Sequence, residues 1–327
     1  MSQTATLTEA TPVRPLRIYS LKERAGDRRF RWLLLGFGLT VIVLAIVMGV
    51  VLYLASRKTW SQFGLSFLGS SVWNPVEDIY GALPFIYGTL VSSALALLIA
   101  IPLGVGSAIF LAEMAPPAIS SSIAFLIELL AAIPSVVIGL MGIFLLVPAM
   151  RAIEPFLIRY LGFLPFFRGQ PYGVGMLTAG IILSIMVLPY ITSVSRDVIL
   201  SVPKPLKEAA LGLGATHWEM VRLVILPYAR SGIAGSIFLA LGRALGETMA
   251  VTMVIGNTPK IALSLLDPAY SMSAVIANEF AEATSDKYVS ALIAIGLVLF
   301  GITILVTAVA HGMIYRMGPK KVRRGSV

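Results

Sequence analysis

The stretch from Ser195 to Asn257 reads SRDVILSVPKPLKEAALGLGATHWEMVRLVILPYARSGIAGSIFLALGRALGETMAVTMVIGN, and the rest of the chain is arranged around it. One apolar segment precedes Arg196, another follows Arg230, and charged residues are spread between them. A charged loop between two apolar segments must lie at a membrane face and return the chain into lipid. We therefore expect residues 196–230 to form a hairpin at a membrane surface, and we call this segment the hairpin.

Local turn chemistry predicts the first helix of the hairpin. Pro203 and Pro205 suit the first turn of a helix, where the missing proline N–H costs no hydrogen bond. Gly214 suits the left-handed conformation that commonly follows the last residue of a helix. We therefore expect a short helix from Pro205 to Leu213.

A second helix is predicted directly after the first. Thr216 is followed three residues later by Glu219, which is the spacing of a capping box, where each side chain accepts a hydrogen bond from the other residue's backbone N–H. This helix should begin at His217 and run to Pro227. The predicted order is then helix, turn, helix and membrane span.

The hairpin resembles the EAA loop of ABC importer permeases. That loop has the pattern EAA, three residues, Gly, nine residues, Ile, one residue, Leu, Pro, and here Val224 stands where the pattern prefers Ile. The resemblance implies a mechanical contact with a separate ATPase, in which small residues let two backbones approach and Glu208 pairs with a basic group. The alternative is a hairpin of another polytopic protein that carries EAA without this role. The expected contact residues are Glu208, Ala209, Ala210, Gly214, Thr216, Leu226 and Pro227.

The composition excludes a soluble globular protein. The chain has 327 residues, of which 57% are hydrophobic and 13% charged, with a mean hydropathy of +0.90. Six apolar runs each have at least about 20 residues, the length that a helix needs to cross a hydrocarbon core. The sequence therefore predicts an all-α integral membrane protein with six transmembrane helices. The expected spans are 32–54, 85–111, 119–147, 172–194, 233–255 and 289–314.

The distribution of Lys and Arg predicts the orientation. If the N-terminus is inside, the inner segments hold 17 of these residues, the outer segments hold seven, and Arg243 lies within a span. Basic residues concentrate on the cytoplasmic side of membrane proteins. We therefore expect a cytoplasmic N-terminal segment (1–31), a cytoplasmic hairpin and a basic cytoplasmic tail (316–327). The net charge of +9 then reflects membrane orientation and indicates no nucleic-acid partner.

The fifth expected span contains two charged residues. Arg243 and Glu247 are four residues apart, so on a helix they share one face, beside the G-x-x-x-G of Gly242 and Gly246. An arginine inside a span usually points into a polar cavity. We expect Arg243 to contact an anionic cargo and Glu247 to orient it, with Thr248 also on the substrate pathway. The alternative is an ion pair that only neutralises itself so that the helix can insert.

The third expected span carries a further carboxylate. A charged group inside a span is costly, so we expect Glu128 to face the bundle interior or to be protonated, and it either packs there or lines the pathway. Pro134, Ser135 and Gly139 make this segment a candidate for a bent helix that lines the pathway. The expected substrate-pathway residues are therefore Arg243, Glu247, Glu128, Ser135 and Thr248.

Two segments between spans have separate predictions. The aromatic residues Trp60, Phe63, Phe67 and Trp73 have the spacing of an aromatic belt at a membrane interface. Residues 151–169 are apolar but interrupted by charges, and their longest charge-free run is too short to cross a membrane. We expect this second segment to be an external amphipathic or re-entrant piece.

A fuller resemblance joins the hairpin to four other stretches. YGALPFIYGTLVSSALALLIAIPLG, ELLAAIPSVVIGL, SIMVLPYITSVSRDV and GRALGETMAVTMVIGN are similar to the C-type permease subunits of phosphate-specific ABC importers, over most of residues 80–257. The resemblance implies the type I importer (MetI-like) permease fold in a bacterial cytoplasmic membrane. It also implies an A-type permease partner, two ATP-binding subunits and an external phosphate-binding protein.

The chain itself is expected not to be an enzyme. It has no G-x-x-x-x-G-K-[ST] motif, so ATP should be used by a partner subunit, and we expect this chain to bind no cofactor or metal. Charge alone also suits sulfate or molybdate as the cargo. Another alternative is an ion-driven secondary transporter in which Glu128, Arg243 and Glu247 relay protons. A membrane scaffold is a further alternative, but it would not need charges within its spans.

Overall fold

The computed structural model describes residues 21–317, with side chains from residue 26 to 316. Within this range the chain is helical, and an isolated bridge between Asn74 and Ile79 is its one β-type pairing. The predictions for 1–31 and 316–327 fall largely outside the described residues. The α-helices are α1 (Leu21–Ala55), α2 (Arg57–Phe63), α3 (Ser66–Gly69), α4 (Leu83–Ile109), α5 (Pro117–Ala132), α6 (Ser135–Met141), α7 (Val147–Leu161), α8 (Met176–Leu200), α9 (Lys204–Gly212), α10 (His217–Met220), α11 (Leu226–Gly246), α12 (Met249–Val254), α13 (Met272–Glu279) and α14 (Asp286–Met317).

Three short π-helical segments continue these helices, the first by extending α4 and the other two by joining α6 to α7 and α10 to α11. They are Phe110–Met114, Gly142–Leu146 and Val221–Ile225. Six of the resulting helices in the described range are long and apolar enough to cross a membrane, which confirms the all-α class and the number of spans. The spans are 26–55, 83–114, 135–161, 176–200, 217–246 and 286–316.

The third expected span, 119–147, is wrong as one helix. The chain is extended at Ile133 (φ −66°, ψ 128°) and at Pro134 (φ −57°, ψ 137°), and α5 ends before them. Proline has no N–H to donate and disfavours the helical conformation of the residue before it. The spanning helix is therefore 135–161, and α5 is a separate 16-residue helix.

The expected external piece at 151–169 is also corrected, because α7 continues the span through Leu161. Its charged side chains bind the backbone of the following loop. Glu154 Oε2 accepts a hydrogen bond from the Gly173 N–H at 2.8 Å, and the Arg151 guanidinium donates to the Tyr172 carbonyl at 3.2 and 3.3 Å. These contacts give partners to Arg151 and to one oxygen of Glu154, two charged residues that the sequence pattern treats as interruptions of the helix.

Two long helices, α4 and α8, pack along each other through the middle of the bundle. Glycines permit the close approach, because a Cβ at Gly104 would lie 2.8 Å from Ile191 and one at Gly180 would lie 2.7 Å from Leu95. Helix α11 packs beside them, where the Ser195 and Ser236 hydroxyls are 2.9 Å apart. The arrangement fixes α8 and α11 as neighbours, and the candidate site lies on these two helices.

At one end of α4, the segments 56–82 and 256–285 form a compact layer that we call the aromatic cap. Trp73 lies edge-to-face against Phe85 and Tyr80, with ring centroids 4.9 and 5.0 Å apart, and Phe67 is fully buried. The expectation of an interfacial belt is corrected, since these rings face one another. Large aromatic side chains contribute most when they pack together and exclude water.

Polar groups inside the aromatic cap are paired. The carboxylate of Glu279 accepts hydrogen bonds from the Trp73 indole N–H at 2.9 Å and from the Tyr288 hydroxyl at 2.6 Å. Asn278 donates to the Tyr270 hydroxyl at 3.0 Å. Burial raises the pKa of Tyr270 to about 12, and the nearby negative charge of Glu279 adds to the shift. The Tyr270 hydroxyl therefore stays neutral at physiological pH.

Candidate functional site

The helix that carries Arg243 is interrupted at Glu247. Helix α11 ends at Gly246, Glu247 is extended (φ −70°, ψ 129°), and α12 begins at Met249, so the expected continuous span 233–255 is wrong. No proline causes this break. The Ser273 hydroxyl donates to the Glu247 carbonyl at 2.7 Å, while Glu247 Oε1 accepts from the Ala250 N–H at 3.5 Å. One tertiary contact and one local capping contact thus satisfy backbone groups that the break leaves without helical partners.

Arg243 and Glu247 are in contact across the end of α11. Arg243 Nη2 lies 3.5 Å from Glu247 Oε2, and the arginine side chain is 43% exposed whereas the glutamate side chain is 5% exposed. The Arg243 guanidinium also lies 5.8 Å from the centre of the Tyr190 ring. A guanidinium has five N–H donors in a planar fork. Glu247 and Tyr190 therefore contact part of the Arg243 guanidinium, while its other N–H donors remain available to an anion.

Arg243 lines a cavity of about 640 Å³ between α8, α11 and α14. Its walls are mostly apolar, with the polar side chains of Tyr190, Thr303, Thr307 and His311 among them. An apolar cavity with a few polar groups is the usual form of a small-molecule site. A charge in such surroundings is weakly screened, so Arg243 can attract an oxyanion from a distance.

Ser135 follows the helix break at Ile133–Pro134, and Thr248 lies in the break between α11 and α12. The packing of α6 against α12 shows how these two positions are placed. A Cβ at Gly139 would lie 3.1 Å from the Ala250 Cα, and one at Gly142 would lie 2.7 Å from Val254. Gly139 of α6 thus faces the first turn of α12, and Gly142, in the π-helical segment that continues α6, faces its end. The two helices therefore run in the same direction. The structure therefore brings the starts of both helices, and with them Ser135 and Thr248, to a similar depth.

Glu128 lies apart from this group. It is exposed on α5 and lines a different, very small cavity with Thr192 and Arg196. The structure therefore brings Arg243 and Glu247 into contact and places Ser135 and Thr248 at a similar depth in the bundle. It does not place Glu128 in the Arg243 cavity. Among residues 26–316, no cluster of three carboxylate or imidazole side chains has the arrangement of a metal site.

The first half of the hairpin has the predicted form. Helix α9 spans Lys204–Gly212, and Gly214 adopts a left-handed φ of 89°. The capping box is confirmed, because the Thr216 N–H donates to Glu219 Oε2 at 2.8 Å and the Glu219 N–H donates to Thr216 Oγ at 3.3 Å. Both backbone groups would otherwise be without partners at the start of α10.

The second half differs from its prediction. The helix that begins at His217 does not end at Pro227 but continues through the π-helical segment Val221–Ile225 into α11. Pro227 cannot donate a hydrogen bond to the preceding turn, and a π-helical turn is one way in which a helix accommodates such a gap. The hairpin is therefore joined rigidly to the span that carries Arg243.

The expected ATPase-contact residues lie mainly on the surface of the hairpin. Helix α9 has no buried residue, and Glu208, Ala209, Gly214 and Pro227 are exposed. Thr216 is exposed as well, and Ala210 and Leu226 are partly exposed. Large apolar side chains are exposed beside them, among them Leu206, Leu213, Trp218 and Leu223. Exposed apolar groups of this size are typical of a surface that contacts another protein or a membrane.

Two interactions of the site have no counterpart in the sequence analysis. Tyr190 lies 53 positions before Arg243 in the chain, and Ser273 lies 26 positions after Glu247. Neither residue belongs to a local motif that would connect it to the charged pair. Only the packing of α8 and α13 against the break reveals them.

Comparison with known proteins supports a transport role for this fold. Residues 100–319 match the family described as "Binding-protein-dependent transport system inner membrane component". The crystal structure of a bacterial ABC transporter involved in the import of the acidic polysaccharide alginate contains a chain that covers 91% of this chain and 100% of its own length. Its TM-score is 0.60 at 18% identity, which shows similarity of fold.

Curated relatives extend over most of the chain. The phosphate transport system permease protein PstC of Mesorhizobium japonicum is 50% identical over 85% of this chain and 87% of its own length. The proteins of the same name from Haemophilus influenzae and Xylella fastidiosa are 48% and 45% identical, over 87% and 92% of this chain and 92% and 94% of their own lengths. With its six spans and interrupted helices, this chain belongs to the family of inner membrane components of binding-protein-dependent transport systems.

Proposed function

We propose that this chain is the permease subunit of an ATP-driven ABC importer that moves inorganic phosphate into the cell by alternating access. The observation that carries the proposal is Arg243, a half-exposed guanidinium in a mostly apolar cavity, on a helix joined directly to the hairpin. Relatives named as phosphate transport permeases, at up to 50% identity, support phosphate as the cargo.

The proposed role of Arg243 follows from the charge of the cargo. Phosphate carries between one and two negative charges near neutral pH, and it would not enter an apolar cavity without a counter-charge. Arg243 supplies that charge and can donate two parallel hydrogen bonds to phosphate oxygens. Glu247 orients the guanidinium, and its negative charge lowers the affinity of Arg243 for the anion, so that the anion can leave. Ser135 and Thr248 can add hydroxyl donors at the helix breaks, while Glu128 is proposed as a pathway residue closer to Arg196.

The proposed partners follow from the surfaces and from the family. The exposed apolar side chains of the hairpin would be covered by one of two ATP-binding subunits, with Glu208, Ala209, Ala210, Gly214, Thr216, Leu226 and Pro227 at the contact. A second, A-type permease completes the pathway, and an external phosphate-binding protein delivers the cargo. ATP is used by the partner subunits, and this chain binds no cofactor.

The proposed location is the bacterial cytoplasmic membrane, with both termini and the hairpin in the cytoplasm. The concentration of Lys and Arg in the segments on the hairpin side supports this orientation. The aromatic cap then faces the outside, where the binding protein arrives.

Phosphate uptake by the reconstituted complex with Arg243→Gln tests the proposal. Losing the hydrogen bonds from Arg243 to a charged phosphate should cost about 2 kcal/mol or more, so uptake should fall roughly 30-fold or more while the complex still assembles. Glu247→Gln should also reduce uptake. The matched control is Arg159→Gln, since Arg159 is exposed and lies 5.9 Å from the Tyr160 ring without lining the cavity.

Near-normal uptake in both the Arg243 and the Glu247 variants would exclude these roles. Uptake of sulfate or molybdate in place of phosphate by the unmodified complex would change the cargo. Uptake that an uncoupler abolishes and that persists without ATP hydrolysis would favour the secondary transporter.

A further inference from the structure

Helix α9 of the hairpin is exposed, but one of its charged side chains turns into the bundle. Lys207 has a side chain that is 16% exposed, and its Nζ pairs with Glu113 Oε1, whose side chain is 9% exposed. The two residues are 94 positions apart in the chain. Lys207 Nζ also lies 3.4 Å from the Ile199 carbonyl at the end of α8. This pair connects the hairpin to the chain that follows α4, whereas α11 connects the hairpin to the helix that carries Arg243.

Glu113 belongs to the turn between α4 and α5, which is itself tied to α8. The turn begins with the π-helical segment Phe110–Met114. The Ser120 hydroxyl donates to the Leu111 carbonyl at 2.7 Å and accepts from Arg196 Nη2 at 3.3 Å. Helix α5 then leads from this turn to the break at Ile133. A movement of the turn can thus be passed along α5 to the break that precedes Ser135.

Apolar contacts alone give a weak connection between α9 and this turn. Ala210 and Ala112 are the partly buried apolar residues that α9 and the turn contribute to the neighbouring core cluster. Such small side chains resist compression, but they bury little area, so they resist separation weakly. A shielded ion pair between a lysine and a glutamate resists separation because pulling it apart leaves two poorly solvated charges.

We propose that the Lys207–Glu113 ion pair transmits the movement of the hairpin to the turn between α4 and α5, so that ATP hydrolysis by the partner opens and closes the pathway. The inference rests on the proposed function. Lys207 and Glu113 are positioning residues, since neither contacts the Arg243 cavity. The π-helical segment at Phe110–Met114 suits this role, because such segments are less regular than an α-helix and often occur at functional sites.

The experiment measures phosphate uptake and ATP hydrolysis by the complete complex in vesicles, for four variants of the pair. Lys207→Met and Glu113→Gln each remove one charge, their combination removes both, and Lys207→Glu with Glu113→Lys exchanges them. The double neutral variant leaves no unpaired charge, so it should fold and assemble. Its phosphate transported per ATP hydrolysed should fall about tenfold, within the usual range of coupling between sites. The exchanged pair should recover a large part of that ratio.

The matched control is Lys58→Met. Lys58 pairs with Asp286 beside the aromatic cap, but both of those side chains are largely exposed, so transport per ATP should be unchanged. A double neutral variant with normal transport per ATP would overturn the inference, because the pair would then serve stability alone. Failure of that variant to assemble, or an exchanged pair no better than the single variants, would also overturn it.

The proposed function has its own readout in the same experiment. If the unmodified complex takes up no phosphate with ATP, the proposed function fails, whatever the pair does. If it takes up phosphate and the double neutral variant does so equally well per ATP, only the inference about the ion pair fails.

Discussion

The two ends of the helical bundle are built in opposite ways. The aromatic cap has a buried aromatic centre, as the fully buried Phe67 and Tyr80, whose ring stacks on Tyr288 of α14, show. The hairpin exposes its large side chains, with Leu213 90% and Trp218 65% exposed. The cap thus has its own packed aromatic core, whereas the hairpin presents exposed apolar side chains of the kind found at interaction surfaces.

This difference indicates that one end of the bundle is rigid and that the other end can be moved. A densely packed end with paired polar groups resists deformation. An exposed end that is joined to the bundle through α11 and through the Lys207–Glu113 pair can be moved by a partner. We therefore expect substitutions in the cap to change stability, and substitutions on the hairpin to change association and coupling.

The largest effect is expected from Phe67→Ala in the cap. Removing a fully buried phenylalanine leaves a cavity among Trp60 and the neighbouring rings, and such changes cost about 3–5 kcal/mol. Thermal unfolding of the purified complex measures the loss. Leu65→Ala is the control, because Leu65 lies two residues away and is 81% exposed. Equal stability of the two variants would show that the cap is not a packed core.

A smaller effect of a different kind is expected from Trp218→Asp on the hairpin. The stability of the chain should change by less than about 0.5 kcal/mol, as for most surface substitutions. The amount of ATP-binding subunit that co-purifies should fall about tenfold, which corresponds to about 1.4 kcal/mol of binding free energy. Leu65→Asp places the same charge on the cap and should leave co-purification intact. Normal co-purification of Trp218→Asp would contradict docking at this surface.

The smallest effect is expected from Thr216→Ala at the capping box. Loss of the Thr216 cap should cost about 1 kcal/mol, confined to the hairpin. Hydrogen exchange of the amides of His217–Met220 should become roughly fivefold faster, while exchange in the cap stays the same. Thr216→Ser retains the cap and should behave like the unmodified chain. Faster exchange throughout the bundle would contradict the separation of the two ends.

The sequence predicts the hairpin better than it predicts the spans around the candidate site. The α9 helix, the left-handed Gly214 and the Thr216 cap depend on residues a few positions apart, so local chemistry is sufficient. The break before Ser135 has a local cause in Pro134, which the sequence shows. The sequence analysis expected a bend there, whereas the structure ends one helix and begins another.

The break at Glu247 is of another kind. No proline lies at this position, and the bond from Ser273 that satisfies the Glu247 carbonyl comes from α13. Hydropathy therefore predicts one continuous span from 233 to 255 and misses the interruption. The inward packing of Trp73 has the same origin, because its indole finds Glu279 more than 200 positions later in the chain.

The amino-acid sequence by itself determined that this protein crosses a membrane six times, where its polar hairpin lies and which charges are carried into the spans. These properties follow from the length, hydropathy and local spacing of neighbouring residues. Only the tertiary structure decided that α11 stops before Glu247, which cavity Arg243 enters and that Lys207 reaches Glu113. Those outcomes depend on pairing groups from distant parts of the chain, because each buried charge or carbonyl must find its partner wherever packing places one.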